Sequence, residues 1–247
     1  MNTTFVTNGL AEMSPVRKAR MAGAFFLITM VAGVFAQGFI AERLVVSGDG
    51  AATAANILSH QTMFQLGFTV YMIEMVCQII MTMLFYDLLK PVSKSASLLA
   101  AVLGIVGCGI KTMSRLFYLA PLLVLGGTHY LSVFSAAQLD AVALLFVKVN
   151  DVGAGIALVF FGFNTVLMGY LIIRSTFLPR VLGWLSVVGG IGWLAFLSPP
   201  LGNPLFPYIA VVALVGSLAT IVWLLAFGVN DQRWREQASV AETSIWR

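Results

Sequence analysis

The sequence predicts an all-α protein that crosses a membrane six times, with both chain ends on the cytoplasmic side. Of its 247 residues, 60% are hydrophobic and only 10% are charged, whereas an average soluble domain has about 25% charged residues. Apolar stretches of about 20 residues, long enough to cross roughly 30 Å of hydrocarbon, recur along the chain. Lysine and arginine are unevenly shared between the loops. Together these observations indicate a multi-pass membrane protein.

The apolar stretches define six spans and leave little sequence for a soluble domain. We place them at residues 21–41, 65–89, 97–125, 149–173, 181–198 and 206–228. Residues 1–20 and 229–247 are then cytoplasmic tails, and residues 21–228 form a single membrane domain. The fifth span is the shortest, and we expect Pro199 and Pro200 to end it, because proline lacks the amide donor of a helix interior.

The basic residues of the loops predict which way the protein faces. Ten lysines and arginines lie on the side that carries both tails, and two, Arg43 and Lys148, lie on the other side. An excess of these residues is typical of cytoplasmic loops. We therefore expect both termini in the cytoplasm. Removal of residues 21–40 as a signal peptide would spoil the alternation of basic and non-basic loops along the chain. The first span is therefore expected to remain.

Two outer loops have helical character. Residues 51–60 favour a helix but are too short and too polar to span, which indicates a short interfacial helix. Residues 135–148 begin with Ser135 and Gln138, which have capping-box spacing. Two interpretations of this second segment stay open: another interfacial helix, or an extension of span four into the outer headgroups.

Three ionisable residues, Glu74, Lys111 and Arg115, lie inside apolar spans. A charge near the bilayer centre costs roughly 3 kcal/mol or more unless it is paired or hydrated. Such residues therefore face the interior of a helix bundle and often mark a functional site. They are the main candidates for a ligand-binding site in this chain.

The neighbours of these charges extend the candidate site. Tyr71 and Gln78 lie three and four residues from Glu74, on one helical face. Tyr118 follows Arg115 by three residues and shares its face. Spans two and three are joined by the short loop 90–96 and should be neighbours. Since Glu74 and Arg115 lie about 13 and 16 Å from the outer ends of their spans, we expect Glu74 to pair with Arg115 or Lys111.

The cluster has an excess of one positive charge. Three resolutions stay open. Lys111 could be neutral, because loss of solvent disfavours its charged form. Asp151 could supply a second carboxylate, although Lys148, three residues before it, is an alternative partner. An anionic group of a lipid or ligand could complete the site, since arginine suits carboxylate and phosphate.

Three functions are compatible with this cluster. The favoured one is a membrane protein that binds a lipid or a small molecule, whether anionic or not, and that acts alone or as a component of a transport system. The second is a structural or regulatory subunit whose buried ion pair only fixes helix packing. The third is a membrane-embedded enzyme that modifies a lipid, with Glu74 as acid–base. The sequence contains no HExxH, GxSxG, P-loop or dinucleotide motif, which disfavours the enzyme.

Composition also limits the partners. The two cysteines and two histidines have no metal-ligand spacing, so we expect no metal and no cofactor. The basic residues lie at span ends without a basic stripe, which argues against nucleic acid. Gly155, Gly162 and Gly169 recur at heptad spacing in span four and predict a close-packed seam. That seam could face a helix of the same chain or a second copy, so a homo-oligomer stays open.

Several short stretches have a distinctive sequence. The most specific one is Phe177-Leu-Pro-Arg-Val-Leu-Gly183, and the others lie at 20–23, 52–58, 85–92, 159–162, 169–171 and 174–175. In this order they resemble an uncharacterised family of bacterial multi-pass membrane proteins, known as domain of unknown function 4386. The resemblance covers roughly residues 17–225 and leaves out the tail from Asn230. It implies a six-helix domain in a bacterial cytoplasmic membrane. It implies no activity and no functional residues.

Overall fold

The protein is a bundle of six long helices with two shorter helices at its ends. The computed structural model describes residues 13–244, apart from the side chains of 242–244. The remaining parts of the two predicted tails lie outside the described residues. The described chain is 87% helical and contains no strand. Six of its helices are long and apolar enough to cross a membrane, which confirms the predicted fold class.

The helices are numbered in chain order. They are α1 Pro15–Leu44, α2 Gly50–Ser59, α3 Gln61–Leu89, α4 Lys94–Leu125, α5 Ala136–Arg174, α6 Arg180–Trp193, α7 Pro199–Ala226 and α8 Asp231–Ser244. Within α1, residues Phe35–Ala41 form a π-helix. Short 3₁₀ turns lie at His129–Leu131 and Leu194–Leu197. We call the end of the bundle that carries α8 the terminal end, and the end that carries α2 the far end.

Helix α5 settles the open question about residues 135–148. The predicted capping box is present: Gln138 N donates to Ser135 Oγ (3.4 Å), and Ser135 N donates to Gln138 Oε1 (2.8 Å). The helix that it caps then continues without a break to Arg174. The segment is therefore an extension of span four, and the interpretation as a second interfacial helix was wrong. The other predicted outer helix is present as α2, which packs against α5.

Helix α7 begins earlier than the sequence predicts. Residues 199–205, predicted as a loop, form its first turns, with Pro199 and Pro200 at the start of the helix. Proline is well tolerated there, because the amides of the first turn have no partner within the helix. Pro204 and Pro207 also lie inside α7, although each removes one backbone hydrogen bond. The same two prolines that end span five thus start span six.

The glycine seam of α5 packs against α6 of the same chain. A Cβ atom built on Gly169 would lie 2.6 Å from the carbonyl oxygen of Gly183, and one on Gly162 would lie 3.0 Å from that of Gly190. The backbones of the two helices are therefore close enough to exclude any side chain at these points. The predicted packing seam is confirmed, and its partner is a neighbouring helix.

The terminal end is held together by polar contacts. Asp87 binds Lys18 Nζ (3.3 Å) and Lys90 Nζ (2.7 Å). Helix α8, which lies in the predicted C-terminal tail, is docked there by Trp234, whose indole Nε1 donates to Leu88 O (2.8 Å). The tail is thus an ordered part of the bundle as far as the described residues reach.

Candidate functional site

The first element of the site is an ion pair between α3 and α4. Lys111 Nζ lies 2.6 Å from Glu74 Oε1, and Glu74 is only 5% exposed. Of the two pairings that the sequence allowed for Glu74, the one with Lys111 is formed. Gly33 of α1 lies directly beside the carboxylate, since a Cβ built on Gly33 would be 3.0 Å from Glu74 Oε1. The absence of a side chain at Gly33 therefore lets the carboxylate lie against α1.

Arg115 is held by neutral groups. Its Nη1 donates to Asn150 Oδ1 of α5 (2.8 Å). Its guanidinium lies over the ring of Tyr71, with Cζ 3.5 Å from the ring centroid. Tyr71 in turn donates its hydroxyl to Gln37 Oε1 in the π-helical part of α1 (3.0 Å). This chain of contacts fixes Arg115 between three helices and leaves its charge without a direct carboxylate partner among the described residues.

Asp151 does not complete the cluster directly. It accepts a hydrogen bond from Asn150 Nδ2 (3.3 Å), so it is connected to Arg115 only through this amide. The carboxylate is not part of an ion pair with Arg115 or with Lys148 among the described residues. Successive helical residues point in different directions. Asn150 therefore faces the bundle, while Asp151 is exposed.

Tyr118 lies behind the site and supports it. Its ring stacks on Phe64 with centroids 4.2 Å apart, and it meets the ring of Tyr71 edge-on at 5.5 Å. Its hydroxyl donates to Phe64 O (3.3 Å). The contact with Tyr71 positions the ring on which Arg115 lies. Tyr118 is therefore a packing residue of this site.

A cavity of about 500 Å³ opens beside the charges. Its wall is formed by α1, α3, α4, α5, α6 and α7. The predicted site residues on this wall are Tyr71, Glu74, Gln78, Lys111 and Arg115, whereas Tyr118 and Asp151 do not line it. The volume lies within the range of about 300–1,000 Å³ that is usual for small-molecule sites.

Sequence reasoning missed several polar residues of the site. Gln37, Thr29 and Asn164 line the cavity, and Asn150 holds Arg115 from outside it. All four lie in apolar stretches, but they carry no charge and were not singled out. Uncharged amides inside a span are a usable signal, because they too need a partner when they are buried.

Some buried polar atoms on the cavity wall have no partner within the described protein. They are Glu74 Oε2, Arg115 Nε and Thr29 Oγ1. A buried polar group without a hydrogen bond costs about 1–3 kcal/mol, and more when it is charged. These atoms belong to residues that line the same cavity. The residues of the wall therefore carry unused hydrogen-bonding capacity, on atoms that the surrounding protein covers, next to an excess of one positive charge.

The arrangement suits recognition of an oxyanion. The charged residues on the wall are Glu74, Lys111 and Arg115, and Glu74 neutralises one of the two cations. Arginine offers a planar set of donors that matches carboxylate and phosphate. Among the described residues, no group of three or more His, Cys, Asp or Glu side chains could hold a metal ion.

The fold and the cavity define a multi-pass, α-helical membrane protein whose function is not established. Residues 21–228 match the family described as Domain of unknown function (DUF4386), and the chain belongs to this family. This confirms the resemblance seen in the sequence. No curated protein and no solved structure matches the chain.

Proposed function

We propose that this protein binds an anionic lipid or small molecule inside the membrane, through a carboxylate or phosphate group held by Arg115 and Lys111. The observation that carries the proposal is the position of these cations on the wall of a 500 Å³ cavity. The Nε of Arg115 has no hydrogen-bond partner among the described residues, so the guanidinium is not fully satisfied by the protein. An anion at this point would also balance the charge of the cluster.

The cavity distinguishes this proposal from a purely structural role. A pair that only fixed helix packing would be enclosed by side chains, as buried ion pairs need good geometry and full hydrogen bonding to be tolerated. Here the pair borders open space, and one oxygen of Glu74 is unpaired among the described residues. These features support binding. They give no specific support to catalysis.

The binding site also fits the remaining sequence-based expectations. We place the protein in a bacterial cytoplasmic membrane with both termini in the cytoplasm, supported by the excess of basic residues on that side. A site between six helices, accessible within the bilayer, suits a component that carries or senses its ligand in transport. Both statements belong to the proposal.

Native mass spectrometry of the protein extracted in several mild detergents tests the proposal. We expect a bound anionic molecule on the wild type and its loss from Arg115→Gln. The double variant Glu74→Leu/Lys111→Met removes both members of the pair, so that neither is left without its partner, and it should fold and bind less. Lys18→Met is the matched control, because Lys18 is a buried cation paired outside the cavity. Absence of any bound molecule from the wild type in all detergents would contradict the proposal.

A further inference from the structure

The residues that line the cavity extend over several turns of the helices. Its lining residues run along α5 from Ala154 to Ile172 and along α1 from Phe26 to Gly38. At a rise of 1.5 Å per residue these stretches measure about 27 and 18 Å. A volume of about 500 Å³ spread over such a length leaves a thin channel that runs along the bundle axis. This shape suits an extended chain better than a compact molecule.

The polarity of the channel changes along its length. Glu74, Lys111 and Arg115 lie in its far half, whereas its terminal end is lined by Phe26, Met81, Phe85, Met168 and Ile172. Glu74 and Phe85 are eleven residues apart on α3, so the charged and apolar regions are separated by about 16 Å. The channel therefore has one ionic region and one apolar end.

Some of the polar residues midway along the channel are turned to the protein. The Thr220 hydroxyl donates to Gly216 O (2.9 Å), and Asn164 Nδ2 donates to Ala100 O (2.6 Å). Their hydrogen-bonding capacity is thus largely used within and between helices. The middle of the channel is therefore mixed, with Gln78 and Thr165 beside apolar side chains such as Leu158, and we expect an alkyl chain to pass along its apolar side.

The channel opens sideways between α1 and α7. Val34, Gln37 and Gly38 of α1 and Leu214 of α7 line the cavity and are exposed on the surface of the bundle. Nearer the terminal end the two helices close together, since a Cβ built on Gly23 would lie 3.0 Å from Leu224 Cβ. We call the exposed set Val34, Gln37, Gly38 and Leu214 the lateral mouth.

The lateral mouth faces lipid. It is flanked by exposed apolar side chains on α1 and α7, among them Val31, Phe35, Phe39, Val211 and Val215. It also coincides with the π-helical turns Phe35–Ala41 of α1, and π-helical insertions are frequent at functional sites. A molecule that uses this mouth would come from the bilayer.

Taking the proposed anion site as given, we propose that its ligand is a single-chain amphiphilic acid that enters from the bilayer through the lateral mouth. Its carboxylate or phosphate head binds at Arg115 and Lys111, close to Gln37. Its alkyl chain follows the channel toward Met81, Phe85 and Met168. A fatty carboxylate and a long-chain alkyl phosphate share this chemistry, and binding measurements distinguish them.

The test uses the whole protein in phosphatidylcholine vesicles and palmitic acid that carries a diazirine at its last carbon. After illumination, mass spectrometry should find the label on peptides containing Met81, Phe85 or Met168. Unlabelled palmitate or hexadecyl phosphate should displace it, and whichever does so more strongly identifies the preferred head. Hexadecanol, acetate and inorganic phosphate should be weaker competitors by about tenfold or more, a difference of about 1.4 kcal/mol.

Matched substitutions to tryptophan test whether the ligand enters through the lateral mouth. A Cβ on Gly38 or on Gly109 would meet nothing within 4 Å, and both glycines are exposed on spanning helices. Gly38→Trp should slow labelling by about tenfold, whereas Gly109→Trp, away from the cavity, should not. Leu214→Trp narrows the mouth from the opposite side. If Gly38→Trp fails to fold, slower labelling of Leu214→Trp still tests the route.

The outcomes separate the two proposals. Equal competition by acetate, phosphate and the long-chain acids would overturn the amphiphile while leaving anion binding in place. Equal labelling rates in Gly38→Trp, Leu214→Trp and Gly109→Trp would overturn the lateral route. If neither long nor short anions bind the wild type, both the amphiphile and the proposed function fail.

Discussion

The guanidinium of Arg115 lies on the face of Tyr71, with Cζ 3.5 Å from the ring centroid. A desolvated cation over an aromatic face gains about 2 kcal/mol or more. Asn150 contributes a hydrogen bond from the other side. Aromatic and amide groups thus do part of what a second carboxylate would do. They allow a cation to be buried without a carboxylate that neutralises it.

The two contacts of Tyr71 should be separable by mutation. Tyr71→Phe keeps the ring beneath Arg115 and removes only the hydrogen bond to Gln37, so we expect a loss of about 1 kcal/mol in unfolding free energy. Tyr71→Leu also removes the ring, and we expect a further loss of about 2 kcal/mol. Reversible unfolding in mixed detergent micelles measures both. Equal losses for the two variants would mean that the ring does not stabilise Arg115.

The Glu74–Lys111 pair should behave as a unit. Glu74→Gln leaves Lys111, whose side chain is 16% exposed, without its carboxylate. Breaking a fully buried pair costs about 3–5 kcal/mol, and we expect a loss at or below the lower end of this range. The double variant Glu74→Leu/Lys111→Met removes both charges, and we expect most of that loss to be recovered. The same unfolding measurement applies. A double variant no more stable than Glu74→Gln would show that the two side chains do not act as a pair.

The addition of a single methyl group to the seam between α5 and α6 should destabilise the protein. Gly169→Ala would place a Cβ 2.6 Å from Gly183 O, and we expect a destabilisation of about 1–3 kcal/mol from overpacking. Gly109→Ala is the control, since a Cβ there meets nothing within 4 Å, and it should change stability by about 1 kcal/mol or less. Thermal denaturation of the two variants side by side measures the difference. A neutral Gly169→Ala would argue against close backbone packing.

The predicted orientation can be measured by cysteine labelling. In a Cys77→Ala/Cys108→Ala background, Val133→Cys introduces a thiol at a residue that is 81% exposed at the far end. A membrane-impermeant maleimide should label it in intact cells. Arg235→Cys, on α8 at the terminal end, should react only after lysis, because the excess of basic residues predicts cytoplasmic termini. The reverse labelling pattern would mean that both termini lie outside the cytoplasm.

The spans and the helical faces that carry the charged residues could be predicted because each rests on a strong, local signal. Long apolar stretches predict spanning helices, and the depths of the charged residues allowed two pairings for Glu74, of which the structure contains the one with Lys111. The depth of each residue followed from the rise per residue. No partner from a distant helix was needed for these conclusions.

The partners of Arg115 could not be predicted in the same way. Asn150 and Gln37 carry no charge, and their roles depend on how α1 and α5 lie against α3 and α4. The start of α7 at Pro199 was missed because proline both ends one helix and begins the next. The docking of α8 involves an indole hydrogen bond from Trp234 to Leu88 O. The periodicity of hydrophobic residues does not predict such a contact.

Helix α5 has a practical value for imaging this 26.6 kDa chain. Its 39 residues measure about 58 Å, nearly twice the roughly 30 Å of a hydrocarbon core. We therefore expect the capped end at Ser135 to extend beyond the hydrocarbon core, where α2 packs against the helix. A scaffold protein whose last helix continued into Ala136 would be held without a flexible hinge and could serve as a fiducial for electron cryomicroscopy.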